Sequence, residues 1–92
     1  MYLVATFPST QAALRAEKEL AGKVPVELVP VPRRIHGQCG FCLLAGPLEP
    51  GAPACGTAMS ALRAQGAEGL WRVVESLSPE SGRKEKHYEP CP

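Results

Sequence analysis

The chain has 92 residues, which is enough for one domain with one modest hydrophobic core. Its net charge of +1 provides no overall field to attract nucleic acid or an anionic membrane, so neither is an expected partner. No basic and apolar leader opens the sequence, and no apolar run approaches the length of a membrane helix, so we expect a cytoplasmic protein.

The first predicted element is a strand over residues 2–7, a short apolar run that ends at a proline. A helix is expected over residues 10–22, with Ser9 or Thr10 as its capping residue. A valine-rich run over residues 24–32 predicts a second strand, and its three prolines favour the edge of a sheet because proline donates no ladder hydrogen bond.

A polar loop over residues 33–39 leads to a third strand, the short apolar run 40–46. A second helix is expected over residues 53–65, since proline suits its first turn and a glycine follows it. The run 69–77 predicts a fourth strand, and residues 78–92 are polar with charges of both signs.

The order β-α-β-β-α-β predicts an α+β fold, a ferredoxin-like sandwich with a four-stranded antiparallel sheet and two helices on one face. Residues 1–77 are expected to form this domain, and residues 78–92 a polar C-terminal tail. The side chains expected to be buried between helices and sheet are Leu14, Leu20, Met59 and Leu62.

The motif HGQCGFC places Cys39 where the polar loop enters the third strand. A cysteine reacts as its thiolate, and nearby cations lower the thiol pKa. Arg33, Arg34 and His36 are therefore candidates for stabilising a thiolate at Cys39, and the same side chains are candidates for binding a partner. Gly40 would let backbone N–H groups approach the sulfur.

Cys42 completes a C-x-x-C pair, a spacing shared by redox dithiols, zinc knuckles and cluster sites. Cys39 and Cys42 are thus the candidate catalytic pair, in which Cys42 resolves a persulfide by forming a disulfide. Residues three apart in a strand point to opposite sides of the sheet, so Cys42 is equally well interpreted as a small core residue.

Three stretches, YLVATFPSTQAALRAEKEL, VPVELVPVPRRI and GQCGFCLL, resemble the selenium/sulfur carrier-like family, small domains of unknown function in bacteria and archaea. The resemblance is strong over residues 2–45, weaker to about residue 75 and absent from the tail. It implies a cysteine that carries sulfur or selenium, and it places the family's Cys-Gly pair on Cys39 and Gly40. A carrier of this kind implies a protein partner in sulfur or selenium transfer or redox metabolism, and no cofactor.

The other cysteines support an alternative, a metal-binding module. The spacing C-x2-C-x12-C-x35-C suits four thiolate ligands of zinc or of an iron–sulfur cluster. Those ligands would be Cys39, Cys42, Cys55 and Cys91. In the carrier alternative, Cys55 is a buried helix residue and Cys91 lies in the tail.

A third alternative is a non-catalytic interaction domain that pairs a partner strand with the exposed edge of strand two. The sequence has no Ser/His/Asp constellation, phosphate loop or acid–base carboxylate pair, so a carrier or accessory protein is favoured over an enzyme. Glu17 falls on the apolar face of the first helix, where its carboxylate needs a partner, and we expect a salt bridge to Arg33 or Arg34.

Overall fold

A computed structural model of the chain describes residues 1–35, 40–49 and 51–91. Its helices are α1, Thr10–Leu20, and α2, Pro53–Ala64. Its strands are β1, Tyr2–Thr6; β2, Val26–Pro30; β3, Phe41–Ala45; β4, Gly69–Leu77; and β5, Lys84–Pro90. The six elements predicted from the sequence are all present, with ends that shift by one or two residues.

The strands form one antiparallel sheet in the order β2-β3-β1-β4-β5. The α+β class is confirmed, but the prediction of four strands is wrong, and the ferredoxin-like topology stays a prediction. Residues 84–90, expected to lie in a polar tail, pair with β4 from Leu77↔Lys84 to Trp71↔Pro90. Sequence patterning missed β5 because six of its seven residues are exposed, and the strand carries no alternation of buried and exposed positions.

One face of the sheet, here called the helix face, packs against both helices. β1 and β3 contribute alternate residues to it, and the helices add small side chains that allow close approach to the sheet. The members that are at most 1% exposed are Leu3, Ala5, Phe7, Ala13, Ala16, Leu43, Ala45, Ala58 and Leu62.

The predicted burial of helix residues is partly confirmed. Leu20 and Leu62 are buried and Met59 is partly buried against the core, but Leu14 is 42% exposed. The buried face of α1 is instead formed by Ala13, Ala16 and Leu20, and one helical step of about 100° turns Leu14 away from it. Ser9 caps α1, since its Oγ accepts a hydrogen bond from Ala12 N at 3.1 Å.

The opposite face, here called the open face, carries a second apolar cluster. Val4, Cys42 and Val73 are its buried strand residues, and Tyr2, Leu44, Trp71 and Tyr88 pack around them. The cluster is completed by the segment that follows β2, which contributes the buried Ile35. Gly69 precedes Trp71 on this face, and a side chain there would collide with the indole ring, so this position requires glycine.

Glu17 lies at the edge of the sheet and not in an ion pair. Its Oε2 accepts a hydrogen bond from Leu28 N on edge strand β2 at 3.0 Å. Within the described chain, Glu17 forms no salt bridge with Arg33 or Arg34, so that expectation is wrong. The carboxylate occupies an N–H group that a partner strand would need, which argues against strand addition at the edge of β2.

In the part of the chain that the structure describes, neither helix has the length and apolar character needed to cross a membrane.

Candidate functional site

The candidate site is the loop between β2 and β3. Cys39 and His36 lie outside the described residues, so their predicted roles stay predictions, and the structure describes only the residues that flank them. On one side of the loop Val31 N donates to Gly40 O at 3.0 Å, which extends the β2–β3 hairpin beyond its strands. The residue that follows Cys39 is therefore held at the end of a hydrogen-bonded hairpin.

Ile35 anchors the other side of this loop. It is 4% exposed and packs in the open-face cluster with Val4 and Val73, and its N–H donates to Pro32 O at 3.0 Å. Burial of a full isoleucine side chain stabilises such a contact by about 1.5–3 kcal/mol. Sequence reasoning did not single out Ile35, although one apolar residue inside a polar, basic loop is the signal that marks it.

Arg34 connects the loop to the far edge of the sheet. Its Nη1 donates to Lys86 O on β5 at 3.1 Å. Because β2 and β5 are the two outer strands, the segment from Val31 to Ile35 passes over the open face between them. Arg33 and Arg34 are both exposed, and their predicted action on a thiolate at Cys39 stays a prediction.

A cationic pocket of about 540 Å³ lies where this segment meets β5. The β5 residues of this pocket lie in the range 78–92, which the sequence predicted to be a polar tail with no contact to the β2–β3 loop. The charged residues that line the pocket are Arg33, Arg34, Lys84, Glu85 and Lys86.

A larger groove of about 670 Å³ continues from this pocket along the open face. Pro32, Lys86 and Tyr88 line both spaces. The floor of the groove is apolar, and Val4, Val29, Leu44 and Val73 form it.

Gly40 is exposed, and a Cβ built on it meets no heavy atom within 4 Å. Packing therefore does not require glycine at this position. The predicted role of Gly40, to let backbone N–H groups approach Cys39, stays a prediction.

Cys42 is completely buried in the open-face cluster. It sits opposite Thr6 on β1 and Val29 on β2, and its Sγ contacts Pro30 O at 3.8 Å. This environment favours the interpretation of Cys42 as a small core residue, because a resolving thiol must be reached by the sulfur it attacks.

Cys55 lies in the first turn of α2 and is buried in the helix-face core. Its Sγ donates to Glu49 O at 2.9 Å, which satisfies the thiol inside the protein. The structure thus places this thiol in the packing position expected from its helical spacing.

Cys91 follows β5 and is held by the sheet, where its N–H donates to Leu70 O at 2.8 Å. Partial burial against the helix-face core raises the pKa of its thiol above the ordinary value. The positive charges of Arg72 and Arg63 oppose this increase without cancelling it. The raised pKa therefore favours the neutral form of this thiol.

The arrangement of the described cysteines does not form a metal site. Cys42 belongs to the open face and Cys55 to the helix face, so the sheet separates them. Among the residues that the structure describes, no three histidine, cysteine or acidic side chains converge as metal ligands. A zinc or iron–sulfur centre needs its sulfur ligands about 2.3 Å from the metal, and Cys42 and Cys55 do not fit one such centre.

A family model described as "Putative Se/S carrier protein-like" matches residues 2–50, which is more than half of the chain. The matched range contains the loop of Cys39 together with Arg33, Arg34 and Cys42, and it ends before Cys55 and Cys91. No curated protein and no solved structure match the chain.

Proposed function

The chain belongs to the Se/S carrier protein-like family, and from that premise we propose that it is a small carrier that accepts sulfur or selenium on Cys39 and passes it to a partner protein. The observation that carries the proposal is the family match over residues 2–50, whose range includes Cys39. The protein acts in the reducing cytoplasm, where thiols are not consumed by structural disulfides.

Loading of the carrier is a sulfur exchange. The Cys39 thiolate attacks the outer sulfur of a donor persulfide, and a new S–S bond forms between Cys39 and that sulfur. The S–S bond of the donor breaks, and its electron pair leaves with the donor cysteine as a thiolate. Cys39 ends as a persulfide, and no external oxidant or reductant is consumed. Selenium transfer follows the same displacement with selenium as the transferred atom.

In unloading, Cys39 is the leaving group, whereas in loading it is the nucleophile. A nucleophile of the acceptor attacks the outer sulfur of the Cys39 persulfide, and Cys39 leaves as a thiolate. The alternative assigns release to Cys42, which would attack the inner sulfur of Cys39, form a Cys39–Cys42 disulfide and expel hydrosulfide. The complete burial of Cys42 favours release to the acceptor, because the alternative needs Cys42 to leave its apolar cluster.

Two features of the described residues support Cys39 as the exchange site. The Val31–Gly40 hydrogen bond and the buried Ile35 fix both flanks of its loop. The exposed side chains of Arg33 and Arg34 add positive charge to the same loop, and such charge favours a thiolate.

The test is loading by a persulfide donor, followed by mass spectrometry of the intact protein and of its peptides. Wild type should gain about 32 Da, one sulfur atom, on the peptide that contains Cys39. Cys39→Ser should gain nothing, whereas Cys42→Ser is the matched control and should load normally. Loading of Cys39→Ser to the wild-type level would contradict the proposal.

A further inference from the structure

The fold brings two basic segments together beside the loop of Cys39. Arg33 and Arg34 follow β2, whereas Lys84 and Lys86 belong to β5, about fifty residues later in the chain. The hydrogen bond from Arg34 Nη1 to Lys86 O joins the two segments directly, at 3.1 Å. We call these four side chains the cationic surface.

The cationic surface concentrates charge that the chain as a whole lacks. All four of its side chains are exposed, and the one acidic residue lining their pocket is Glu85, whose carboxylate lies 3.9 Å from the His87 ring. The pocket therefore has a surplus of three positive charges, whereas the entire chain has a net charge of +1. In the described ranges, none of the four cations joins an ion pair.

The cationic surface includes residues of the same loop that contains Cys39. Arg34 is five residues before Cys39 in the sequence and one before the buried anchor Ile35. A protein that contacts the cationic surface therefore contacts the β2–β3 loop, whose sequence includes Cys39.

The exposure of the four cations determines which class of anion the cationic surface can bind. A small anion gains little from exposed cations, because water and salt screen each contact within about 8 Å. An extended acidic protein surface meets several cations at once, and complementary charge of this kind accelerates association and orients the two partners.

We infer that the cationic surface is the docking site for an acidic face of the protein that delivers sulfur to Cys39, an inference that rests on the proposed function. Association with that donor is guided by the surface, and the exchange itself takes place at Cys39.

The experiment compares two donors on the full-length chain. One is a persulfidated cysteine desulfurase with a net negative charge, and the other is N-acetylcysteamine persulfide, a small donor without a carboxylate or phosphate. The measured quantity is the rate at which Cys39 gains sulfur, followed by mass spectrometry at low salt. The test variant is Lys84→Glu/Lys86→Glu, and Lys84→Gln/Lys86→Gln is its neutral counterpart.

The matched control is Lys18→Glu/Lys23→Glu, which changes the net charge by the same amount at two exposed lysines outside the cationic surface. Thermal unfolding of each variant verifies that it remains folded. Charge reversal on the cationic surface should slow loading from the protein donor about tenfold, while the control variant stays near the wild-type rate. The neutral variant should be intermediate, and raising the salt to about 300 mM should remove most of the difference. Loading from the small donor should be the same in all four proteins.

Three results would overturn the inference. An unchanged rate from the protein donor would show that the surface does not dock it. Equal slowing with both donors would mean that the lysines act on the Cys39 thiol and not on a partner. Failure of both donors to load wild type would remove the proposed function itself, and the inference with it.

Discussion

Arg34 and Lys86 are joined by a hydrogen bond of 3.1 Å from a guanidinium nitrogen in the β2–β3 loop to a main-chain carbonyl of β5. The two residues are 52 positions apart in the chain and belong to opposite ends of the strand order. Their contact makes the fifth strand part of the surroundings of the Cys39 loop. The stability of β5 and the placement of the loop are therefore coupled.

Tyr88 provides a test of whether β5 is integral to the fold. It sits opposite Val73 and packs in the open-face cluster, so Tyr88→Ala should lower the free energy of unfolding by about 1–2 kcal/mol. Urea denaturation measures the change, and His87→Ala at the exposed neighbouring position is the control, expected within about 0.5 kcal/mol of wild type. Equal stability of the two variants would mean that β5 contributes little to the domain.

Glu17 is expected to stabilise the edge strand β2. Glu17→Ala removes the acceptor of the Leu28 N–H, and should lower the free energy of unfolding by about 1.5–3 kcal/mol, the range for hydrogen bonds to charged groups. Glu17→Gln retains an acceptor oxygen and should lose less. The exposed Glu19→Ala on the same helix is the control, and a loss at Glu19 equal to that at Glu17 would contradict the assigned contact.

Substitution of Cys42 tests whether this residue contributes to core packing or to the sulfur chemistry. Cys42→Ala removes a completely buried side chain, and should lower the free energy of unfolding by about 1–2 kcal/mol while leaving sulfur loading of Cys39 intact. Chemical denaturation and mass spectrometry on the same preparation give the two readouts. Full stability together with abolished sulfur release would instead identify Cys42 as the resolving thiol.

The Cys91 thiol should react slowly with alkylating reagents near neutral pH. Burial raises its pKa, so at a given pH below that value the folded protein contains less Cys91 thiolate than the unfolded chain. Alkylation by iodoacetamide at pH 8 should therefore be slower at Cys91 in folded protein than in urea, with the gap narrowing as the pH rises. Peptide mapping measures the rate, and folded-state alkylation as fast as in urea would contradict the raised pKa.

The elements with apolar patterning were predictable from the sequence. The runs that became β1, β3 and β4 carry bulky apolar residues, and the helices have capping or proline signals at their starts. β5 was not predictable in this way, because its sequence KEKHYEP exposes six of seven side chains. Its pairing is determined by the long edge of β4, which no local pattern reveals.

Only those features of the site that depend on neighbouring residues in the sequence were predictable. The motif around Cys39 can be recognised from neighbouring residues, and the family match includes it. The burial of Ile35, the contact of Arg34 with β5 and the separation of Cys42 from Cys55 by the sheet all depend on tertiary packing. Spacing along the chain suggested a four-cysteine centre because it has no information about which face of a sheet a residue occupies.

The most direct test of the central claim is a single transfer from isolated, sulfur-loaded protein to an acceptor. Wild type is loaded with labelled sulfur, separated from the donor and mixed with an excess of an acceptor thiol. The masses of the protein and of the acceptor are then followed over time by mass spectrometry. A carrier should lose about 32 Da from the Cys39 peptide while the acceptor gains the label in equal amount. Label that stays on Cys39, or that resides on another cysteine, would contradict the account.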